Sequence, residues 1–179
     1  FNHNPKKIIN IIASIKPDFI IDFASLCVVN QSWDYPNLYF DINVQYKLNI
    51  IKKIKEFKFL KKYILISTPE VFGNSKKLLK ENSNNFNPST PYATSKLCME
   101  LLLKNYAKNF NLPIIITRFS NFFGPGQPAY RLIPKIITCI DKKMKFPLEG
   151  NGNAKRNFIY SHDFCMGLYK TLLKGEKGQ

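Results

Sequence analysis

Apolar residues in this chain follow two spacings. Ile8, Ile11, Ile12 and Ile15 recur at helical intervals, which predicts a helix over residues 5–16. Pro5 falls early, where proline is tolerated, and Pro17-Asp18 ends the pattern. FIIDFA (19–24) is then a short continuous apolar run, the signature of a strand covered on both faces. Helical spacing returns over 37–57, and YILIS (63–67) reads as a second buried strand. Residues 74–90 are rich in Asn, Ser, Lys and Pro and read as a surface loop. A long helix is predicted over 91–110, capped by Ser89 or Thr90 with Pro91 in its first turn. LPIIITR (112–118) gives a third buried strand and GPGQP (124–128) a turn. Two further helices follow, over 131–143 and 162–174, the second capped by His162-Asp163.

Strands alternating with helices predict parallel pairing through right-handed crossovers, a doubly wound α/β sheet. Ligands of such sheets bind beyond the carboxyl ends of the strands. The first strand ends at Ala24-Ser25, the second at Ser67-Thr68-Pro69-Glu70, and the third at Arg118-Phe119-Ser120-Asn121. Tyr92 and Lys96 begin the helix between the second and third strands. A hydroxyl, a carboxylate, a phenol and an ammonium are therefore expected at one sheet edge.

Composition narrows the function classes. The net charge is +15, yet all but three of the 27 basic side chains are lysines, and they are scattered. No helix-turn-helix, zinc or RNA-recognition pattern accompanies them, so a nucleic-acid partner is not expected. A basic surface also suits anionic small ligands. No apolar run is long enough for a membrane span. Cys27, Cys98, Cys139 and Cys165 show no metal-ligand spacing and are read as buried free thiols of a reducing compartment. Neither a metal site nor a membrane partner is expected, and the cytoplasm is the expected location.

The candidate chemistry centres on STPYATSK (89–96), where Tyr92 and Lys96 lie four apart. In a chain this rich in lysine about one Tyr-x-x-x-Lys arises by chance, so the pair needs support from its surroundings. That support comes from seven segments in order: PDFIIDFAS, SWDYPNLYFDINV, ISTPEVFG, STPYATSK, TRFSNFFGPGQ, RLIPKII and EGNGNAKRNFIYSHD. Together they resemble the extended short-chain dehydrogenase/reductases of the NAD-dependent epimerase/dehydratase group, above all the dTDP-glucose 4,6-dehydratase branch.

The resemblance implies a partial Rossmann fold over residues 1–123, which binds NAD. Residues 124–179 would be part of a small substrate-binding region interleaved with it. It implies that Ala24, Ser25 and Ser67 line the cofactor and that Asn43 buttresses the same site. Tyr92 would take the proton of the sugar C4 hydroxyl, its pKa lowered by Lys96 and by the nicotinamide cation. Lys96 would also bond the nicotinamide ribose, and Thr68 would give a hydroxyl to the same substrate oxygen. Glu70 would take the C5 proton once C4 is oxidised. Ser32, Asn121, Arg131, Leu132 and Arg156 would contact the nucleotide-diphosphate sugar, the two arginines because guanidinium forks fit phosphate oxygens.

The chain departs from the dehydratase pattern at Pro69, which stands where an aspartic acid protonates the leaving C6 hydroxyl, and at Phe72, where tyrosine is usual. The glycine-rich turn that holds the dinucleotide pyrophosphate is not found, so the resemblance implies a piece of a protein nearly twice as long, which would be a homodimer. A 4,6-dehydratase-like lyase is the first functional expectation. A nucleotide-sugar 4-epimerase or nucleotide-uronic-acid decarboxylase is the alternative within the family. A non-catalytic basic binding protein on the same fold is the alternative outside it.

Overall fold

The structure is a computed structural model that describes residues 4–75, 78–148, 152 and 155–178. Residues 149–151, 153 and 154 of the EGNGNAKRNFIYSHD segment, and residues 76 and 77 of the expected loop, lie outside that description. The Cα packing divides the chain into two compact units: residues 1–118 with 172–179, and residues 119–171.

The first unit begins with α1 (Pro5–Ile15), whose Asn4 side chain accepts from Lys6 N and whose C-cap Lys16 takes a left-handed φ of 52°. β1 (Phe19–Asp22) follows. The next helical stretch starts with α2 (Gln31–Asp34) and α3 (Pro36–Phe40), continues through a π-helical segment (Asp41–Tyr46), and ends as α4 (Lys47–Ile54). β2 (Lys62–Ser67) leads through a 3₁₀ turn (Pro69–Phe72) to the long α5 (Pro91–Phe110) and then β3 (Ile114–Arg118). Both strand pairs are parallel, in the order β1-β2-β3, with Asp22 opposite Leu65 and Leu65 opposite Ile116. The doubly wound pattern predicted from the alternation of elements is thus the one adopted.

Three features differ from the expectations. Among the described residues β1 lies at one side of the three-stranded sheet, and Phe19 and Ile21 are 42% and 37% exposed where the pattern predicted cover. The apolar run reports strand propensity, and only β2, flanked on both sides, has a continuous buried core of Tyr63, Ile64 and Leu65. The helix expected over 37–57 starts anew at Pro36 and widens at Asp41–Tyr46, a form often found at functional sites. Of the four thiols only Cys139 is buried; Cys27 and Cys165 are exposed.

The core under the sheet edge is built from Ile51 and Ile54 of α4, Leu65 of β2, Met99 and Leu103 of α5, and Ile114 of β3. The loop beyond the 3₁₀ turn returns at Asn87, whose N–H donates to Val71 O at 3.0 Å, and Phe86 stacks on Phe72 at 5.3 Å. Gly73 is required there. Its φ is +60°, and a Cβ would stand 2.1 Å from Asn87 O.

The second unit holds a two-stranded parallel sheet, β4 (Asn121–Phe123) with β5 (Phe158–Tyr160), that three-residue runs do not announce in the sequence. Its helices are α6 (Leu132–Asp141) and α7 (Ser161–Lys174). Phe119 and Phe122 pack on Phe164 at centroid distances of 4.3 and 4.7 Å. α7 begins at Ser161, so Asp163 lies in its first turn instead of capping it, a place where its charge still favours the helix. Among the described residues no helix is long and apolar enough to cross a membrane, and no cluster of three His, Cys, Asp or Glu could hold a metal ion.

Candidate active site

The carboxyl ends of β1 and β2 and the first turns of α5 meet at one edge of the first unit. Thr90 caps α5 by accepting from Ala93 N at 3.1 Å, and Pro91 occupies the next position. This start sets Tyr92 and Lys96 one turn apart on a buried helix face, 8% and 3% exposed. Lys96 Nζ donates to Ser25 Oγ at 2.9 Å and to Ile66 O at 2.7 Å. Two of its three N–H groups are thereby committed to the strand ends.

Thr68 serves two neighbours. It caps the 3₁₀ turn by accepting from Glu70 N at 3.2 Å, and its hydroxyl bonds the Tyr92 phenol. Pro69 fills the first position of that turn, where a fixed φ and a missing N–H cost nothing. Glu70 is half-buried and close enough to Tyr92 to act on its charge.

The electrostatics reverse one expectation. Burial pushes the Tyr92 phenol up to about 12; Thr68 opposes this, while Cys27, Glu70 and Tyr39 add to it. Lys96 is not among the groups that shift it; its ammonium is turned to Ser25 and Ile66. Desolvation therefore outweighs the hydroxyl, and Tyr92 is a neutral phenol at pH 7. Burial also presses Lys96 down to about 8, helped by the neighbouring Lys47 and opposed by Asp22, Glu100 and Cys27.

The support beneath these groups extends well beyond the expected buttress, Asn43. Asn43, in the π segment, accepts from Leu26 N at 2.9 Å and donates to Leu26 O at 3.1 Å and Ser95 Oγ at 3.0 Å. Both amide hydrogens are used within the protein, so Asn43 ties the loop after β1 to α5. Ser95 Oγ in turn donates to Tyr92 O at 2.7 Å. Tyr39 donates to Val28 O at 2.5 Å and sets its ring edge-to-face against Tyr92 at 6.3 Å. Ser32 is fully buried and donates to Val29 O at 2.6 Å. Ala24 is exposed, with its N–H on Asp22 Oδ1 at 2.9 Å. Arg118 forks onto the fully buried Glu100, Nη2 to Oε2 at 2.5 Å, and its guanidinium lies 5.1 Å from the centre of the Phe72 ring. Asp22 and Glu100, charges within apolar patterns, were the available signals for this layer.

The remaining candidates belong to the second unit. Asn121 opens β4 and is exposed. Arg131 is the N-cap residue of α6 with its guanidinium 5.4 Å from the Tyr130 ring centre, and Leu132 begins that helix 43% exposed. Arg156 is exposed, its Nη1 donating to Lys155 O at 3.2 Å.

A parallel α/β unit with a buried tyrosine and lysine one turn apart, a threonine on the phenol and a glutamate beside it, defines a class of dinucleotide-dependent fold with acid–base groups at the strand ends. Residues 3–179 match the NAD dependent epimerase/dehydratase family, and the chain belongs to it. It is 33% identical over 182 residues to dTDP-D-glucose 4,6-dehydratase of Dictyostelium discoideum, covering 94% of this chain and 41% of that protein. It superposes with a TM-score of 0.88 and 26% identity on a double mutant of DesIV, a dTDP-glucose 4,6-dehydratase of Streptomyces venezuelae solved with NAD and DAU bound, covering 98% of this chain and 54% of that one. UDP-N-acetylglucosamine 4-epimerase from Methanobrevibacter ruminantium is 28% identical at a TM-score of 0.82, over 89% and 53% of the two chains. The chain thus spans about half the length of the relatives it matches.

Proposed function

We propose that the protein containing this chain oxidises a nucleotide-diphosphate sugar at C4 with bound NAD and acts as a 4,6-dehydratase-like lyase. The observation that carries the reading is the convergence of Thr68, Glu70 and Tyr92, with Lys96 on the same helix face. The first unit would hold the cofactor, and Asn121, Arg131, Leu132 and Arg156 of the second would bind the nucleotide sugar.

The residues present fit NAD. Ser67 Oγ is buried at the end of β2 with no partner among the described residues, an orphaned hydroxyl of the kind a ligand satisfies. Beside it Lys96 has, among the described residues, one N–H left for a ribose hydroxyl, and Ser25 and Ala24 border the same edge. When bound, NAD supplies a hydride acceptor for C4 and a positive ring that favours ionised Tyr92. Tyr92 then removes the C4 hydroxyl proton, with Thr68 holding the same oxygen. A C4 ketone acidifies C5, and Glu70 takes that proton.

Loss of the C6 hydroxyl as water still needs a proton, and Pro69 has none to give. In this reading water supplies it, the hydride taken from C4 would return to C6, and Glu70 would give a proton back to C5, so that the net loss is one water. Pro69 also favours a second reading, in which the keto sugar is re-reduced on its other face or loses a carboxylate, as a 4-epimerase or decarboxylase would require. By the resemblance, α3, α4 and α5 would form a homodimer face, which sedimentation of the full-length protein tests; a monomer at micromolar concentration would contradict it. Incubation of that protein with NAD and dTDP- or UDP-linked glucose, glucuronate and N-acetylglucosamine, followed by mass spectrometry, tests the activity. A product lighter by one water supports dehydration, an epimer or loss of carbon dioxide supports the second reading, and unchanged sugars throughout overturn both.

A further inference from the structure

Asp22 is a carboxylate at the end of an apolar strand, and every contact of its oxygens is structural. Oδ1 accepts from Ala24 N at 2.9 Å. Oδ2 accepts from Tyr63 OH at 2.5 Å and from the Lys47 ammonium, which reaches it from the first turn of α4. Lys47 and Tyr63 are each 3% exposed, and the Asp22 side chain 10%. A buried ion pair of this kind is weak as a source of stability, since two desolvation penalties offset most of the attraction. Its location suggests another role. Asp22 lies opposite Leu65 in the sheet, and the next residue of β2, Ile66, gives its carbonyl to Lys96. Three residues beyond Asp22, Ser25 takes the second Lys96 bond. The pair therefore sits at the level of the sheet where Lys96 is bound.

We propose that Asp22 and Lys47 are positioning residues for Lys96, a buried ion pair that fixes the loop to which Lys96 is bonded and stands a second ammonium beside it. The consequence for catalysis rests on the function proposed above; the electrostatic relation does not. The groups that face Lys96 are Lys47 on α4, Asp22 on β1, Cys27 in the loop after it, and Glu100 on α5, itself paired with Arg118 of β3. Tyr92 shares its helix face, and Tyr63 of β2 reaches it only through Asp22. Lys47 is the one cation among those that act on Lys96, and it lowers the affinity of Lys96 for its proton, while Asp22, Glu100 and Cys27 raise it. A looser proton would let Lys96 relay charge to and from the ribose and Tyr92 near neutral pH.

The test is the titration of Lys96 in the intact protein, followed through ¹³Cε NMR of labelled lysine and assigned by the signal lost in Lys96→Arg. Wild-type Lys96 is expected to titrate about 8. Lys47→Met should move it upward by about half a unit or more. The double variant Asp22→Asn, Lys47→Met removes both charges from the interior, so it should fold even if the single variant does not. Its Lys96 should titrate between wild type and the single variant, because the attraction of Asp22 is lost as well. A midpoint unchanged in a folded Lys47→Met protein, or lowered in the double variant, overturns the proposal. Because the reading is a titration, it stands whether or not any nucleotide sugar is turned over.

Discussion

At the scale of residues, the decisive balance is between burial and hydrogen bonding at Tyr92. Burial holds the phenol at about 12, so the chain alone does not make a base at neutral pH. A cation bound against Tyr92 must supply the difference. In ¹³Cζ-labelled protein the Tyr92 titration should move down by a unit or more when NAD is added; a midpoint unmoved by saturating NAD would remove Tyr92 from the role of base. Pro69 makes the opposite case, a residue whose geometry is satisfied and whose chemistry is missing. Pro69→Asp keeps a residue tolerated at the start of the turn and restores an acid beside Glu70. Formation of the 4-keto-6-deoxy product should rise by about tenfold or more. A variant no faster than wild type would show that protonation at this position does not limit the reaction.

Lys96 has a pH signature of its own. Its folded value of about 8 lies below the ordinary 10.5, so folding favours the neutral amine. That contribution is complete above about 10.5 and is lost as pH falls through 8, a range of about 3 kcal/mol. Lys47 is displaced in the same direction and Tyr92 in the opposite one, but the Tyr92 contribution is lost only between 10 and about 12. Denaturant melts of wild type and Lys96→Met between pH 7.5 and 10 should therefore show stability rising less steeply with pH in the variant. Parallel pH dependences would contradict the burial of a charged Lys96.

At the scale of elements, the π segment is the piece that makes the site one body. It turns Asn43 onto both backbone groups of Leu26 and onto Ser95. Asn43→Ala would leave those buried groups without partners, at a cost of about 1–3 kcal/mol, read as a lower denaturant midpoint. A midpoint within error of wild type would mean that water replaces the amide. The sequence carried the helices and strands of this unit because their periodicity is long: Ile8 to Ile15, YILIS, and the run after Thr90. It did not carry the π segment, which costs one residue of register within a helical pattern. Nor did it carry β4 and β5, whose three residues each are too short for a period to register.

At the scale of the whole molecule, the candidate residues of the first unit do converge, and the sequence placed them at strand ends correctly because parallel topology leaves only one edge for chemistry. What spacing could not reveal was the sign of the Tyr92 shift, since desolvation depends on packing around Tyr39 and Thr68. Nor could it show that three of the four thiols lack the burial their type suggests. The same dependence on packing hid the layer of Asp22, Lys47, Ser95 and Glu100, each of which reads as an ordinary polar residue until its partner is known.

The proposed chemistry makes one demand that can be read directly. The full-length protein, with NAD and its nucleotide sugar in deuterium oxide, should yield a product carrying solvent deuterium at C5, seen by NMR. Tyr92→Phe should slow C4 oxidation by about 100-fold or more. Glu70→Gln should still oxidise C4 but lose the exchange at C5. Deuterium at C5 undiminished in Glu70→Gln, or C4 oxidation undiminished in Tyr92→Phe, would contradict the assignment of these two residues to the two proton transfers.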